Sequence, residues 1–315
     1  MNRILVIRGG AIGDFVLTLP AISLLRGGFP KARIEILGYK HIAALAEGRF
    51  YAEATRSIEY SALAGFFGNG TDLLPGLCDY FHSFDLVVSY LFDPDGHFHH
   101  NLQRCGVEEV LACSPRICGG EHAARQLARP LEELGLSLRD PAATLYPSAS
   151  DQKFAAHFCQ RIGRPIVALH PGSGSKSKNW PISKWTELAE AILVGGRAAS
   201  LLFIGGEADQ EKMNALRLMS GDAVHLAENL PLPILAAILE QCAVFVGHDS
   251  GISHIAAAIG TPSVLLFGPT DPDVWAPANR DVRVLRAPNG DLAHLPLSAV
   301  TEAVDQELMR IGIRT

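Results

Sequence analysis

The sequence predicts an α/β protein built as two domains in tandem, each a parallel sheet covered by helices on both faces. Two observations carry this. Apolar runs of strand length alternate with helical patterns through glycine-rich junctions, most plainly after residue 150. A chain of 315 residues with 48% hydrophobic and 19% charged side chains also has material for two cores, each near the usual domain size of roughly 150 residues. The same composition excludes disordered and fibrous classes.

The elements follow in order. Arg3–Ile7 is a buried strand, and the glycine loop Arg8–Asp14 leads into a helix whose apolar positions Phe15, Leu17, Leu19, Ile22 and Leu25 run through Pro20. Ala32–Leu37 and Phe84–Val88 read as further strands, and Glu121–Leu134 as a helix with Ala124, Leu127, Leu131 and Leu134 on one face. The stretch Ser57–Gln103, without a single Lys or Arg, gives no clear pattern. Asp140-Pro141 through Ser150 is a turn-former cluster and sets the predicted boundary, 1–150 and 151–315. Beyond it come strands at Ile166–Leu169, Ser200–Ile204, Val244–Val246 and Ser263–Phe267. Helices at Ser183–Leu193, Asp209–Met219, Pro233–Gln241 and Gly251–Ile259 separate and follow them, and Ser298–Ile311 is a final helix.

Charge narrows the function classes. The net charge is −6, with 13 basic against 16 acidic residues in 1–150 and 14 against 17 in 151–315. Neither half carries the clustered cationic footprint of a nucleic-acid binder. Six cysteines (Cys78, Cys105, Cys113, Cys118, Cys159, Cys242) without a CxxC pair read as reduced, mostly buried thiols and hence a cytoplasmic protein. The apolar core of Met1–Gly10 is too short for a signal peptide, and no apolar run reaches the roughly 18 residues of a membrane span.

In open α/β sheets ligands bind beyond the carboxyl ends of the strands, where helix N-termini converge. Four loops occupy that position. In Arg8-Gly9-Gly10-Ala11-Ile12-Gly13-Asp14 the glycines admit a ligand to the backbone and the helix start favours an anion; Asp14 reads equally as a helix cap. The Gly9-Gly10 pair departs from the dinucleotide fingerprint, although Glu35 stands 22 residues after Gly13, as an NAD site would require. His170-Pro171-Gly172-Ser173-Gly174-Ser175-Lys176-Ser177-Lys178-Asn179-Trp180-Pro181 has the hydroxyls, glycines and lysines of a phosphate cradle without P-loop spacing. Glu207, after Gly205-Gly206, is placed to take ribose hydroxyls. In His248-Asp249-Ser250-Gly251-Ile252-Ser253-His254, the N–H groups of Ser250 and Gly251 would point at a diphosphate. His97, His99 and His100 near Asp93 and Asp95 lack an established metal spacing, and no G-x-S-x-G elbow is present.

Together these residues resemble glycosyltransferase family 9, the lipopolysaccharide heptosyltransferases. The resemblance rests on Gly13-Asp14 with Leu19-Pro20-Ala21, His170-Pro171-Gly172 with Lys178-Asn179-Trp180-Pro181, Gly205-Gly206-Glu207, Asp249 to His254, and Gly268-Pro269-Thr270. It implies a GT-B fold, two Rossmann-like domains with parallel sheets facing across a cleft, the final helix packing back towards the first domain. It further implies ADP-heptose as donor and the lipopolysaccharide core, or a lipid A-linked sugar, as acceptor. Asp14 would be the catalytic base of an inverting transfer. Ser173, Lys178, Glu207, Asp249, Ser250, Gly251 and His254 would hold the donor, and Arg8, Gly10 and Gly13 would lie near sugar and acceptor. No metal or other cofactor is implied, and contact with the cytoplasmic face of the inner membrane would be transient. Two departures stand out: Gly9-Gly10-Ala11 replaces hydroxyl side chains frequent in relatives, and Arg8 replaces a frequent lysine. The competing readings are another GT-B sugar-nucleotide enzyme, a UDP-sugar transferase or epimerase, and a non-catalytic nucleotide-sugar binding module.

Overall fold

The structure, a computed structural model, describes residues 1–219 and 221–312. The chain divides into two compact units, Met1–Pro141 and Ala142–Thr315. The division falls at Asp140-Pro141, nine residues before the predicted 150/151 boundary. The physical reason is local: Leu145 N–H donates to Ala258 O at 2.8 Å and Asn279 Nδ2 to Ala143 O at 2.9 Å. The segment read as a linker is thereby stitched into the second unit.

The first unit holds strands β1 (Arg3–Arg8), β2 (Arg33–Gly38), β3 (Ala54–Ser57), β4 (Leu86–Ser89) and β5 (Val110–Ala112), in spatial order β3-β2-β1-β4-β5. The second holds β6 (Ile166–His170), β7 (Ser200–Gly205), β8 (Val224–Glu228), β9 (Val244–His248), β10 (Ser263–Phe267) and β11 (Val282–Arg286), in order β11-β10-β9-β6-β7-β8. The pairings between these strands are parallel throughout. Both are doubly wound sheets whose direction of winding reverses, between β1 and β4 in the first and between β6 and β9 in the second. Such reversals open a crevice beyond the strand ends. Central strands β6, β7, β9 and β10 are buried along their whole length, as a sheet covered on both faces requires.

The helix Ile12–Gly28 runs through Pro20 without a break, and its buried residues include Phe15, Val16, Leu19, Ile22 and Leu25. The final helix, Leu297–Arg310, packs on the helix Ile182–Val194 and on β9, β10 and β11, and its Val300, Ala303, Val304 and Leu308 join the second core. The unpatterned stretch resolves into the 3-10 turn Ser61–Phe67, the helix Pro75–His82, β4 and the helix His97–Arg104. His97, His99 and His100 are therefore helical. Asp93 starts that helix by accepting the N–H groups of Phe98 at 3.2 Å and His99 at 2.9 Å.

One expectation is overturned. Cys78 and Cys105 are joined by a disulfide, so the six cysteines are not all reduced thiols. The helices Pro75–His82 and His97–Arg104 bring the two residues together across 27 positions of sequence, a proximity no local spacing announces. Cys113, Cys159 and Cys242 are free and buried, and Cys118 is free and exposed. Among the described residues no helix is long and apolar enough to cross a membrane.

Candidate functional site

In the first unit, the crevice between β1 and β4 receives the loop that follows β1. Gly10 takes φ = +98°, which turns the chain so that Asp14, in the first turn of helix Ile12–Gly28, folds back over it. Asp14 Oδ2 accepts the N–H of Ala11 at 2.9 Å, the helix-capping contact foreseen as one of its two roles. Its Oδ1 lies 3.8 Å from Arg8 Nη2. Arg8, the last residue of β1, is only 4% exposed. Its Nε donates to Thr18 Oγ1 at 2.9 Å and its Nη2 to the Asp14 carbonyl at 3.3 Å, while Thr18 donates to that same carbonyl at 2.7 Å. Burial lowers the Arg8 pKa, and the neighbouring Asp14 carboxylate works against that. Arg8, Gly10 and Asp14 line a cleft of about 500 Å³ together with Tyr90, whose phenol burial pushes far above its ordinary range. Gly13 belongs to the helix turn behind it.

In the second unit, the loops after β6, β7 and β9 meet at the other crevice. Lys178 Nζ donates to Asp249 Oδ2 at 2.6 Å, and Thr270 Oγ1 donates to the same oxygen at 2.8 Å. Ser250 caps the helix Gly251–Ala258, its Oγ accepting Ser253 N–H at 3.4 Å. Gly251 opens that helix, and His254 is buried within it at 5% exposure. Ser173 Oγ lies 2.8 Å from Ser175 O and 2.9 Å from Asn179 Oδ1, which shapes the lysine loop from inside. Glu207 begins the 3-10 turn Glu207–Asp209 and points to solvent, its carboxylate uncommitted among the described residues.

Three residues outside the predicted set hold these loops together. His248 is fully buried; it accepts Trp180 N–H on Nε2 at 2.8 Å and faces Gly172 O with Nδ1 at 3.3 Å. Burial pushes its pKa down to about 3, so the ring is neutral, with Nδ1 as the donor. His170 contacts Ser250 Oγ with Nδ1 at 3.3 Å and Asp209 Oδ2 with Nε2 at 3.6 Å. Asp209 also accepts Gly206 N–H at 3.1 Å. Burial raises its pKa, but the His170 and Gly206 contacts prevail and hold it below the usual carboxylate value. A β-carbon on Gly172 would come within 2.0 Å of Asp209 Oδ1, so the glycine is required where these loops cross. The signal was present: His170 and His248 each end an apolar strand run with a polar residue at the ligand edge.

Glu35, the acid at dinucleotide spacing, accepts a hydrogen bond from Tyr80 OH at 2.6 Å in mid-strand, which gives it a structural partner. Among the described residues no group of three or more His, Cys, Asp or Glu side chains could hold a metal ion.

The profile of glycosyltransferase family 9 (heptosyltransferase) matches residues 122–299, a span that takes in every loop of the second crevice. The chain belongs to this family. As a member of glycosyltransferase family 9 it is a sugar-transferring enzyme. It is 27% identical to lipopolysaccharide heptosyltransferase 3 of Escherichia coli over 303 residues, 90% of this chain and 88% of that one. The fold is GT-B. It matches the Escherichia coli ADP-heptose LPS heptosyltransferase II structure with a TM-score of 0.80 over 99% of both chains, at 18% identity. It also matches Escherichia coli heptosyltransferase WaaC, solved with ADP, with a TM-score of 0.71 over 97% of this chain and 99% of that one, at 20% identity. The family match leaves out the Arg8–Asp14 loop, which therefore stands on its own geometry.

Proposed function

We propose that this glycosyltransferase moves a heptose from ADP-heptose to a hydroxyl of the lipopolysaccharide inner core, in one inverting step with Asp14 as general base. The observation that carries the reading is the convergence of Lys178, Glu207 and the N-terminus of the helix Gly251–Ala258 beyond the carboxyl ends of β6, β7 and β9. A cation, a free carboxylate and open helix amides are what a nucleoside diphosphate asks for: charge for the phosphates and an acceptor pair for ribose. The family supplies the sugar.

In this reading the second unit presents the donor and the first presents the acceptor. The acceptor oxygen attacks the anomeric carbon as the bond from that carbon to the diphosphate oxygen breaks. The hydroxyl proton passes to Asp14 and ADP departs with the bonding pair. Asp14 Oδ2 is held by Ala11 N–H and Oδ1 stands 3.8 Å from Arg8 Nη2, beyond hydrogen-bond reach, so Oδ1 is the oxygen that takes the proton. Lys178, now paired with Asp249, and the amides of Ser250 and Gly251 meet the charge gathering on the leaving diphosphate. Asp249 and Thr270 then orient the lysine, His254 buttresses the helix start, and Ser173 keeps the lysine loop in shape. Because protein groups meet that charge, the reading calls for no metal. In this reading the enzyme touches the membrane only through its lipid-linked acceptor.

The test is direct. The purified chain is incubated with ADP-heptose and an inner-core acceptor, and the product is read by mass spectrometry and its new anomeric linkage by NMR. One added heptose of inverted configuration is the expected product. Retained configuration, or use of UDP-sugars in preference to ADP-heptose, would overturn the reading.

A further inference from the structure

Two cavities adjoin in the first unit beyond the carboxyl ends of β1, β4 and β5. The larger, about 500 Å³, is the cleft that holds Asp14; the smaller, about 330 Å³, runs from Ser89 along the residues that follow β5. They share Leu91, Phe92 and Pro115. Their volumes lie within the range of ligand sites, roughly 300–1,000 Å³.

The charged lining is one cation against three carboxylates: Arg8 against Asp14, Glu59 and Asp93. Arg8 is buried, and its guanidinium is spent on Thr18 and Asp14. Asp93 is spent on the helix start it caps. The N-terminus of the helix Ile12–Gly28 would be the natural seat for an anion, but Asp14's own carboxylate fills it through Ala11 N–H. Arg116, beyond Pro115, is exposed and adds a second cation at the rim, its guanidinium carbon 4.1 Å from the Phe92 ring centroid, so that carboxylates still outnumber cations by three to two. The absence of Lys and Arg from 57–103, the segment that supplies Ile58 to His99 of these walls, thus becomes a property of the site. What the walls offer instead is aromatic: Phe92 is 52% exposed and Phe67 45% exposed.

Sites that select a carboxylate or phosphate do so with arginine forks or lysines, and like charge around a pocket rejects the anionic competitor. Exposed aromatic faces suit the C–H face of a pyranose. We infer that the acceptor sugar seated in this cleft is neutral, a pyranose carrying hydroxyls and neither carboxylate nor phosphate, with Phe92 as its platform. The inference deepens the heptosyltransferase reading and rests on it.

The experiment compares three acceptors at saturating ADP-heptose: a core oligosaccharide ending in heptose, the same oligosaccharide phosphorylated on that heptose, and one ending in a ulosonic acid. The neutral acceptor is expected to exceed each anionic one in kcat/KM by about tenfold or more. Replacing a wall carboxylate by a cation, Glu59→Lys, should narrow that ratio by about threefold or more, and Phe92→Ala should raise KM for the neutral acceptor more than it lowers kcat. Equal or better use of either anionic acceptor would overturn the inference and leave the transferase reading standing. ADP-heptose bound in calorimetry with transfer to none of the three would overturn the transferase reading and this inference with it.

Discussion

Lys178 and Asp249 form an ion pair 2.6 Å long between the loop after β6 and the loop after β9, and Thr270 donates to the same Asp249 oxygen from the turn after β10. Three strand ends of one sheet are thereby tied at a single carboxylate. The lysine is held at the edge of the crevice with its remaining N–H donors free to turn towards a phosphate.

Lys178→Ala is therefore expected to weaken ADP binding by about 10- to 100-fold, the worth of a charge-assisted contact of about 1.5–3 kcal/mol. Isothermal calorimetry with ADP checks it. Lys178→Arg keeps the charge and should recover part of the loss. Undiminished affinity in the alanine variant would remove Lys178 from the donor site.

The outline of this site was legible in the sequence because parallel sheets place ligand loops after strands, and the central strands are continuous apolar runs. β3, β5, β8 and β11 were not legible, and all four are sheet edges. Each is only partly buried, so polar residues such as Arg56, His225 and Arg283 interrupt the pattern. The helix Ala149–Cys159 hid in the turn-former cluster, although Ser148 and Asp151 form a capping box there. His170, Asp209 and Ser250 meet only in three dimensions, across as many as 80 positions, and no local spacing foretells such a contact. The Cys78–Cys105 bond escaped for the same reason.

Asp14→Asn should lower kcat by about 10²–10⁴ while ADP-heptose affinity changes little, since the role proposed for the residue concerns the acceptor proton and not the donor. The asparagine carbonyl can still accept Ala11 N–H, so the helix start is preserved. Steady-state kinetics beside calorimetry separates the two effects. Normal turnover in this variant would end the assignment.

Gly10→Ala tests the same carboxylate without altering it. At φ = +98° an added β-carbon is strained, and it would sit 2.8 Å from Asp14 Oδ2. A cost of about 1–3 kcal/mol is expected, paid partly by displacement of Asp14. A fall in kcat with ADP affinity unchanged is the expected outcome; wild-type kcat would mean that Asp14 keeps its place or does not need it.

Transfer in the presence of excess EDTA should proceed at the untreated rate if, as proposed, Lys178 and the helix start at Gly251 meet the leaving diphosphate. Loss of activity restored by a divalent cation would show that protein charge alone does not suffice.

His248 links site geometry to stability. Its neutral ring holds Trp180 N–H and Gly172 O, and burial keeps its pKa near about 3 against 6.5 when free. The unfolded chain therefore binds a proton that the folded chain refuses. This contribution is complete above pH 6.5 and is lost as pH falls towards 3, at about 1.4 kcal/mol per pH unit. Between pH 6.5 and 5, where few carboxylates titrate, wild type should lose about 2 kcal/mol that His248→Gln does not, since glutamine can accept and donate without titrating. The measurement is urea unfolding followed by tryptophan fluorescence, which reports this unit because Trp180, Trp185 and Trp275 all lie in it and Trp185 stacks edge-on to His248 with ring centroids 5.1 Å apart. Parallel pH dependences in the two proteins would show that the imidazole is not held neutral by the fold.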